Sequence, residues 1–411
     1  MIKLLHFADA HIDMANYGRH DPESGLPMRV MDFLKSLDEI VQAAIDEEVD
    51  LVIFAGDAYK DRSPAPTFQR EWDQRIMRLS QAGIPTVLLT GNHDISPSTG
   101  RAHAIHEFET LGVPHVQVVS KPSLLLPKDL DGLPVQVLCI PWISQVDFFD
   151  FEDSANNAPT AVNELIQTIL TQKIEHIDSA IDPELPLLLA AHASVEGVEY
   201  GYERLANISK DFVLDRNFVT NKIFDYTALG HIHKAQDLNE GHHPPAIYPG
   251  SIERVDFGEE KEKKYFIVAE VDKGHTKVHW HELKHIRPFI TRRIELDDPD
   301  QVSAQIMALI PPPEKLRDAI VRIIIQYPEV FEPLINDSEI RALGEPAFEF
   351  QLIKRPIRQS RARLPEGDYA TEKSMTELLE IYLKASDKDV SADKIESLQN
   401  LAQSLIQASE N

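Results

Sequence analysis

The chain of 411 residues has one cysteine, Cys139, and no apolar run long enough to span a bilayer. A single thiol excludes the disulfide-stabilised scaffolds of small secreted proteins and a structural zinc site made of several thiolates. A transmembrane helix requires about 20 consecutive apolar residues, and the N-terminal "MIKLLHFADAH" lacks the apolar core of a signal peptide. We therefore expect a cytoplasmic protein that does not enter a membrane.

The chain also lacks an excess of basic residues. It has 41 Lys and Arg against 67 Asp and Glu, a formal net charge of −26. Proteins that bind nucleic acids usually present a basic surface, so this balance argues at first against such a partner. It does not exclude one, because divalent cations bound by carboxylates reverse the sign of the local field, and net charge does not describe how charge is distributed.

The first 285 residues alternate short apolar runs with amphipathic segments, which is the pattern of a layered α/β architecture. Residues 28–48, between the first two apolar runs, have apolar side chains at helical spacing. The predicted strands are "IKLLHF" (2–7), "LVIFA" (51–55), "TVLLT" (86–90), "VQVLCI" (135–140), "LPLLLAA" (185–191), "YTALG" (226–230), "KYFIVAEV" (264–271) and "TKVHWHEL" (276–283).

The composition changes after "RPFITRRIEL" (287–296). Between 297 and 353, a helix-like, a β-branched, a second helix-like and a second strand-like segment follow one another. Such an order is typical of a small α+β unit. We therefore predict a main domain over 1–286 and a separate accessory domain over 287–353.

Residues 354–370 begin with a run of five basic residues and have no acid before Glu366. The composition predicts either a solvated interdomain linker or a strap that contacts a phosphate backbone. The basic residues are Lys354, Arg355, Arg358, Arg361 and Arg363.

The last segment, 371–411, has the pattern of two amphipathic helices, and Ser374 and Glu377 have the spacing of a capping box. The apolar stripes of such a hairpin must be buried, either against the same chain or against a partner. The candidates for contacting a partner are Met375, Leu378, Leu379, Tyr382, Leu398 and Leu405.

Potential metal ligands follow the predicted strands in five short segments. A lone His after a strand, or an Asp after a Gly, is more often a structural residue or a turn than a ligand. The five segments together point to a site, because ligands of parallel α/β sheets gather beyond the carboxyl ends of the strands. The seven side chains are Asp9 and His11 in "FADAH", Asp57 in "FAGDAY", Asn92 in "TGNHD", where His93 is the next residue, His192 in "AAHAS", and His231 and His233 in "LGHIH".

These donors predict a centre with two metal ions. Seven ligands exceed what a single ion needs, but they suffice for two ions if one carboxylate bridges them. Carboxylate and amide oxygens combined with imidazoles suit Mn²⁺, Fe²⁺ or Zn²⁺. The D-x-H and H-x-H pairs each place alternate residues on one side of an extended segment. Two neighbouring ions are a known device for in-line displacement at phosphorus, which predicts phosphoester hydrolysis.

The order D-x-H, G-D, G-N-H-D, H and G-H-x-H resembles the motif set of the calcineurin-like metallophosphoesterases. A further stretch, "YPGSIERVDFGEEKEKKYFIVAEV" (248–271), resembles that of the SbcD or meiotic recombination eleven family, the nuclease subunit of a double-strand-break repair complex, and "RPF" (287–289) resembles the start of its capping domain. The resemblance covers residues 1–290, and the remainder matches in layout. It implies an α/β fold, a four-layer metallophosphoesterase sandwich of two mixed β-sheets flanked by helices, with a small α+β capping domain and a C-terminal helical hairpin.

The resemblance also implies roles for individual side chains. His93 would not bind metal but would face the scissile phosphate, where a histidine stabilises charge or protonates the leaving oxygen. Asp94 would orient His93 through a hydrogen bond, or it would be a plain turn residue. Two Mn²⁺ ions, with Fe²⁺, Zn²⁺ or Mg²⁺ as substitutes, would be bound as follows: one by Asp9, His11 and His233, the other by Asn92, His192 and His231, and both by a bridging Asp57.

One position departs from the family pattern. Family members often have a histidine three residues after the Asp of G-D, whereas "GDAYKDR" has Lys60 there. A lysine contacts a phosphate as a point charge but does not shuttle a proton near neutral pH unless its pKa is strongly lowered. Lys60 and Arg62 are the candidates for substrate contact.

Two helix-like stretches, 66–81 and 100–112, flank the G-N-H-D segment. In the family the corresponding helices pack across a two-fold axis into a dimer interface. The alternative is that their apolar side chains belong to the core of the same chain. The side chains concerned are Phe68, Trp72, Ile76, Ile105 and Phe108.

The resemblance therefore implies a manganese-dependent DNA nuclease that is cytoplasmic and associated with the nucleoid. It would have 3′–5′ exonuclease activity on duplex ends and endonuclease activity on hairpins and single strands. It would act as a homodimer with the SMC-like ATPase SbcC, bound through the C-terminal helices. Two rival functions remain: a metallophosphoesterase acting on cyclic nucleotides or phosphoproteins, which would need neither the accessory domain nor the hairpin, and a non-catalytic scaffold, against which the complete ligand set argues.

Overall fold

The structure is a computed structural model that describes residues 1–95, 102–143, 180–201 and 213–357. These residues cluster into two compact units. The first unit contains residues 1–291, 313–321 and 346–349, and the second contains 292–312, 322–345 and the described residues after 349. None of the described helices is long and apolar enough to cross a membrane.

The described elements alternate along the chain as expected for an α/β protein. The strands are Ile2–Phe7 (β1), Leu51–Phe54 (β2), Thr86–Leu89 (β3), Val116–Val119 (β4), Ser123–Leu125 (β5), Gln136–Ile140 (β6), Leu187–His192 (β7), Ser194–Val195 (β8), Val213–Leu214 (β9), Tyr226–Gly230 (β10), Gln236–Asp237 (β11), Ala246–Tyr248 (β12), Tyr265–Asp272 (β13), His275–Glu282 (β14), Phe289–Glu295 (β15), Ile320–Pro328 (β16) and Glu349–Ile357 (β17). The α-helices are Met28–Asp46 (α1), Pro66–Gln81 (α2), Glu107–Leu111 (α3), Arg216–Val219 (α4), Val302–Leu309 (α5), Pro313–Leu316 (α6) and Asp337–Gly344 (α7), and short 3₁₀ helices lie at Pro127–Asp129, Phe257–Glu259 and Glu329–Leu334.

The first sheet has the strand order β14-β13-β1-β2-β3-β4. Strands β1 to β4 are parallel, whereas β13 runs antiparallel to β1, and β14 runs antiparallel to β13. The pairing of β1 with β2 runs from Leu4 opposite Leu51 to Phe7 opposite Phe54. The sheet is therefore mixed, and its parallel part places the ends of β1, β2 and β3 side by side.

The second sheet has the strand order β11-β12-β10-β7-β6-β5. Its four inner strands are parallel, and the two outer strands are antiparallel to their neighbours. His192, the last residue of β7, pairs with Gly230, the last residue of β10. This register sets His192 beside the residue that precedes His231.

The two sheets pack face to face through apolar side chains. In β2, Ile53 belongs to the layer between the sheets together with Leu188 of β7, whereas the adjacent Phe54 packs with Phe33 of α1 on the outer face. Successive side chains of a strand point to opposite faces, so a strand buried on both faces has a continuous apolar sequence. This explains the runs "LVIF" and "LLLAA" and confirms the predicted fold of two mixed sheets flanked by helices.

The second unit has the predicted order of helix, strand, helix and strand, realised as α5, β16, α7 and β17. Strands β15, β16 and β17 form a three-stranded sheet, and Val302 and Ile306 of α5 are buried. Residues 287–291 cluster with the first unit. The predicted domain boundary at 286/287 therefore does not coincide with the division between the two units, and it stays a prediction.

The linker predicted at 354–370 begins too early. Lys354 and Arg355 lie in β17, and the Lys354 ammonium is paired with Glu332 (2.6 Å) and Asp337 (3.0 Å). These two carboxylates belong to the same unit as Lys354. Outside the described residues lie 358–370 and the predicted hairpin 371–411, with Met375, Leu378, Leu379, Tyr382, Leu398 and Leu405.

The two helices predicted near G-N-H-D differ in outcome. The first is α2, whereas the second is confined within the described residues to Glu107–Leu111. Area already buried within one chain cannot form an interface with another, so the assignment of four apolar side chains to a dimer interface is wrong. Trp72, Ile76, Ile105 and Phe108 are buried in the core of this chain, and Phe68 is partly buried against the same core.

Candidate metal centre

All seven predicted metal ligands lie at or just beyond the carboxyl ends of parallel strands in the first unit. The carboxyl ends of parallel strands lie at the same end of a sheet, and these ends of the two sheets lie next to each other. Two groups of ligand atoms result, each with all its atoms within 4.8 Å of one another. The strands and the residues that they position are β1 with Asp9 and His11, β2 with Asp57, β3 with Asn92, β7 with His192, and β10 with His231 and His233.

The first group consists of Asp9, His11 and His233, all of them buried. The Nε2 atoms of His11 and His233 are 3.0 Å apart. Both oxygens of Asp9 accept a hydrogen bond from the backbone N–H of His231, at 3.1 Å. Burial raises the pKa of Asp9 to about 6, because a carboxylate without solvent requires compensating positive charge. A divalent cation can supply that charge.

The second group consists of Asp57, His192 and His231. The amide oxygen of Asn92 lies 3.1 Å from His192 Nε2 and 2.9 Å from His231 Nδ1, so it belongs to the same group. Carboxylate, amide and imidazole donors without a thiolate suit a divalent transition metal.

Asp57 lies between the two groups. Its Oδ2 atom is 3.4 Å from His192 Nε2 and 3.9 Å from His11 Nε2. Burial alone would raise the pKa of Asp57, but His192 and the neighbouring His93 hold it well below its usual range. The carboxylate is therefore ionised and within reach of both groups.

Three of the imidazole rings are fixed by an acceptor on the side away from the ligand atoms. His11 Nδ1 donates to the carbonyl of Tyr59 (3.2 Å), His192 Nδ1 to the carbonyl of Ala55 (2.6 Å), and His233 Nδ1 to Glu259 (2.9 Å). A proton on Nδ1 leaves the Nε2 lone pair free for an ion. These rings are therefore oriented as metal ligands before any ion binds.

The backbone at the ligands adopts conformations that are rare for residues with a side chain. The φ angles are positive at Asp9 (51°), His11 (39°), Asp57 (64°) and His231 (96°). Such backbone conformations cost free energy, and they concentrate at functional sites. Two glycines provide the necessary room, because a Cβ atom would lie 2.1 Å from Asp57 Oδ1 at Gly91 and 2.1 Å from the carbonyl of Ala55 at Gly230.

His93 lies at the edge of the centre and is half-buried. Its backbone N–H donates to Asp57 Oδ1 (2.8 Å), and its Nδ1 donates to the carbonyl of Lys60 (2.9 Å). The Lys60 ammonium is 3.3 Å from His93 Nε2. Burial, reinforced by the positive charge of Lys60, lowers the pKa of His93. The lysine that departs from the family pattern thus contacts the histidine to which catalysis was assigned.

Asp94 does not form the predicted hydrogen bond with the His93 ring. Its buried carboxylate accepts from the backbone N–H groups of Asp57 (2.9 Å), Ala58 (3.0 Å) and Gly91 (2.8 Å). Lys60 provides the acceptor for the His93 ring instead. Asp94 therefore ties the loop after β3 to the loop after β2, which holds Asp57 in place.

An open groove with a volume of about 780 Å³ adjoins His93. Lys60 and Arg62 line it together with the apolar side chains of Met14 and Phe68. Arg62 Nε also donates to the carbonyl of Asn92 (3.3 Å), which links this wall of the groove to a ligand. The groove offers two cations, Lys60 and Arg62, two carboxylates, Asp13 and Asp61, and apolar surface beside the metal centre.

Sequence reasoning missed two carboxylates that support the site. Asp13 accepts from the backbone N–H groups of Lys60 (2.5 Å) and Asp61 (2.9 Å) and so fixes the loop that bears Lys60. Glu259 accepts from His233. The signals were the spacing D-x-H-x-D and the stretch "VDFGEE", but neither pattern alone reveals which group each carboxylate contacts.

The profile of the family described as calcineurin-like phosphoesterase matches residues 2–235. The chain is 26% identical over 286 residues to the D subunit of the nuclease SbcCD of Escherichia coli (strain K12), and the match covers 66% of each chain. It is 35% identical over 113 residues to the DNA double-strand break repair protein Mre11 of Haloferax volcanii, covering 28% of this chain and 23% of that protein.

Among solved structures, that of TT1561 from Thermus thermophilus superposes with a TM-score of 0.37 and 12% identity over 68% of this chain and 98% of that one. The family profile spans more than half of the chain and contains all seven candidate ligands. The chain therefore belongs to the calcineurin-like phosphoesterase family.

Proposed function

We propose that the chain is a two-metal phosphodiesterase that cleaves DNA, the nuclease subunit of an SbcCD-type complex. The observation that supports this most strongly is the Asp57 carboxylate between two groups of ligand atoms. The names of the relatives favour DNA over other phosphoesters. The proposal includes 3′–5′ exonuclease activity on duplex ends and endonuclease activity on hairpins and single strands.

The proposed ion assignment follows the two groups. Asp9, His11 and His233 would bind one ion, Asn92, His192 and His231 the other, and Asp57 both. The donor set fits divalent metals, for which we propose Mn²⁺, with Fe²⁺, Zn²⁺ or Mg²⁺ as substitutes. When bound, two such ions supply Lewis-acid activation of a phosphoester.

His93 is the proposed catalytic residue that is not a ligand. Because Nδ1 already donates to the carbonyl of Lys60, a proton on Nε2 makes the ring an imidazolium, which would give that proton to the leaving oxygen or donate a hydrogen bond to the phosphate. Asp94 acts through the loops that it joins, so we propose it as a positioning residue.

The groove beside His93 is the proposed path of the substrate strand. Lys60 and Arg62 would contact phosphate groups, and the apolar side chains of Met14 and Phe68 would contact sugar or base. Lys60 and Arg62 place two positive charges at this point of a chain of net charge −26, and Asp13 and Asp61 of the same groove balance them. The bound cations would add to the same local field.

The assembly is proposed from the same relatives. The chain would form a homodimer through the helices near 66–81 and 100–112, by side chains that its own core does not bury, and its C-terminal residues 371–411 would bind an SMC-like ATPase, SbcC. We propose that the protein is cytoplasmic and associated with the nucleoid.

The test of the proposed function uses the full-length chain with Mn²⁺. We expect release of nucleotides from the 3′ ends of linear duplex DNA, loss of that activity with a chelator, and no exonucleolytic release from covalently closed circular duplex of the same sequence. The rival substrates, a cyclic nucleotide and a phosphopeptide, are assayed in parallel. Hydrolysis of these alone would overturn the assignment to DNA while leaving the phosphoesterase chemistry intact.

Lys60→Ala tests the proposed phosphate contact. A lysine that contacts one phosphate is expected to strengthen binding to the same extent for every DNA sequence. Its loss should therefore reduce the slope of the logarithm of the DNA-binding constant against the logarithm of the salt concentration by about 1. We expect weaker DNA binding with little change in metal content, measured by fluorescence anisotropy at several salt concentrations. Lys128→Ala, at an exposed position outside the groove, is the matched control. An unchanged salt slope in Lys60→Ala would show that Lys60 does not bind the substrate.

A further inference from the structure

Buried polar side chains outside the ligand set form a chain of contacts behind His233. The Lys264 ammonium is 0% exposed and lies 2.7 Å from the Glu259 carboxylate, which is 2% exposed. Lys264 Nζ also donates to Ser251 Oγ (2.8 Å). Burying such a pair costs desolvation free energy, and apolar side chains of similar volume are often as stabilising. Stability alone therefore does not account for this pair.

The two oxygens of Glu259 have different partners. Oε2 faces Lys264 and accepts from the backbone N–H of Val255 (3.0 Å). Oε1 accepts from His233 Nδ1 (2.9 Å). With Oε2 held on two sides, the carboxylate cannot rotate without losing charge-assisted contacts, so Oε1 stays aimed at the imidazole ring.

We propose that Glu259 is a positioning residue for the ion site of Asp9, His11 and His233, and that Lys264 holds its carboxylate in place. This inference rests on the proposed assignment of that group as an ion site. A hydrogen-bond acceptor at Nδ1 fixes the orientation of the ring and the tautomer in which Nε2 is free to bind an ion. When that acceptor is a carboxylate, it also makes Nε2 more basic and the ring a stronger metal ligand. His11 and His192 use backbone carbonyls for the same purpose, so the charged acceptor distinguishes His233 from them.

The test measures Mn²⁺ binding to the full-length chain without substrate, by isothermal titration calorimetry with chelator competition. The double variant Glu259→Met, Lys264→Met removes the acceptor together with the cation that faces it, and it leaves Glu262, a partly exposed second partner of Lys264 (3.3 Å), without that ion pair. We expect one ion to bind about 10–100-fold more weakly, with the other unchanged. Glu259→Gln has a single acceptor oxygen, so its NH2 group must face either His233 Nδ1 or the donors Lys264 and Val255, and it should weaken binding of the same ion.

Glu282→Gln is the matched control, because it removes an exposed carboxylate paired with Lys263 (2.7 Å), and it should bind both ions as the wild type does. Circular dichroism and thermal unfolding establish that each variant is folded, and Glu259→Gln serves alone if the double variant is not. A folded variant that binds both ions with wild-type affinity overturns the inference, as does an equal loss at both ions. Failure of the wild type to bind two ions would instead overturn the metal centre itself.

Discussion

Asp57→Asn is expected to lower kcat by at least about 10³-fold, because a metal ion contributes several kcal/mol of transition-state stabilisation and each 1.36 kcal/mol corresponds to a factor of ten. The Asp57 carboxylate lies between the two groups of ligand atoms, so its loss should weaken both proposed ion sites. Asparagine has the same shape and tolerates the positive φ of 64° at this position. The measurement is kcat on linear duplex DNA together with the Mn²⁺ content of the folded variant, which should fall below two ions per chain.

Asp131→Asn is the matched control for this substitution. Asp131 is an exposed carboxylate paired with His115 (2.6 Å), and its backbone also has a positive φ (55°). We expect wild-type activity and metal content in this variant. Full activity and two tightly bound ions in Asp57→Asn would contradict the proposed bridging role.

His93→Ala is expected to lower kcat by about 10²–10⁴-fold, the usual contribution of a positioned acid or base, while both ions stay bound. The ring contacts Lys60 through both of its nitrogens and lies edge-on to the His11 ring (centroids 5.2 Å apart), whereas the hydrogen bond to the proposed ligand Asp57 comes from the backbone N–H of His93. Alanine retains that backbone contact. Metal content and kcat measured on the same preparation separate loss of chemistry from loss of ions.

His115→Ala serves as the control for removing a partly exposed histidine that is paired with a carboxylate. We expect this variant to match the wild type in activity and in metal content. If His93→Ala loses one ion, His93 is a ligand; if it retains full activity, His93 does not take part in the reaction.

The strands of the two sheets could be predicted from the sequence because their local pattern is strong. Strands buried on both faces have continuous apolar sequences, as in "LVIF" and "LLLAA". The polar residues that interrupt these runs mark the carboxyl ends, where the candidate ligands were predicted. The segment over 100–112 was predicted less accurately than the strands. Its helical spacing indicates a helix over the whole segment, whereas the described part of it contains only one turn of helix, Glu107–Leu111.

The partners of individual side chains could not be predicted, because they are separated by many residues in the chain. Trp72 has the spacing of an amphipathic stripe whether the stripe faces its own core or another subunit, and only the packing against Phe54 decides for the core. Asp94 follows His93 directly, yet its carboxylate turns to the backbone of Asp57 and Gly91. Adjacency in sequence does not determine the direction of a side chain.

The sequence by itself determined the fold class, the order of the motifs and the identity of the candidate ligands, because periodicity and residue type are local properties. Only the tertiary structure decided that Asp57 lies between the two groups, that Lys60 contacts His93, and that Glu259 and Lys264 stand behind His233. These contacts join segments that the two sheets bring together. Their geometry depends on strand register and on sheet packing, which no short stretch of sequence specifies.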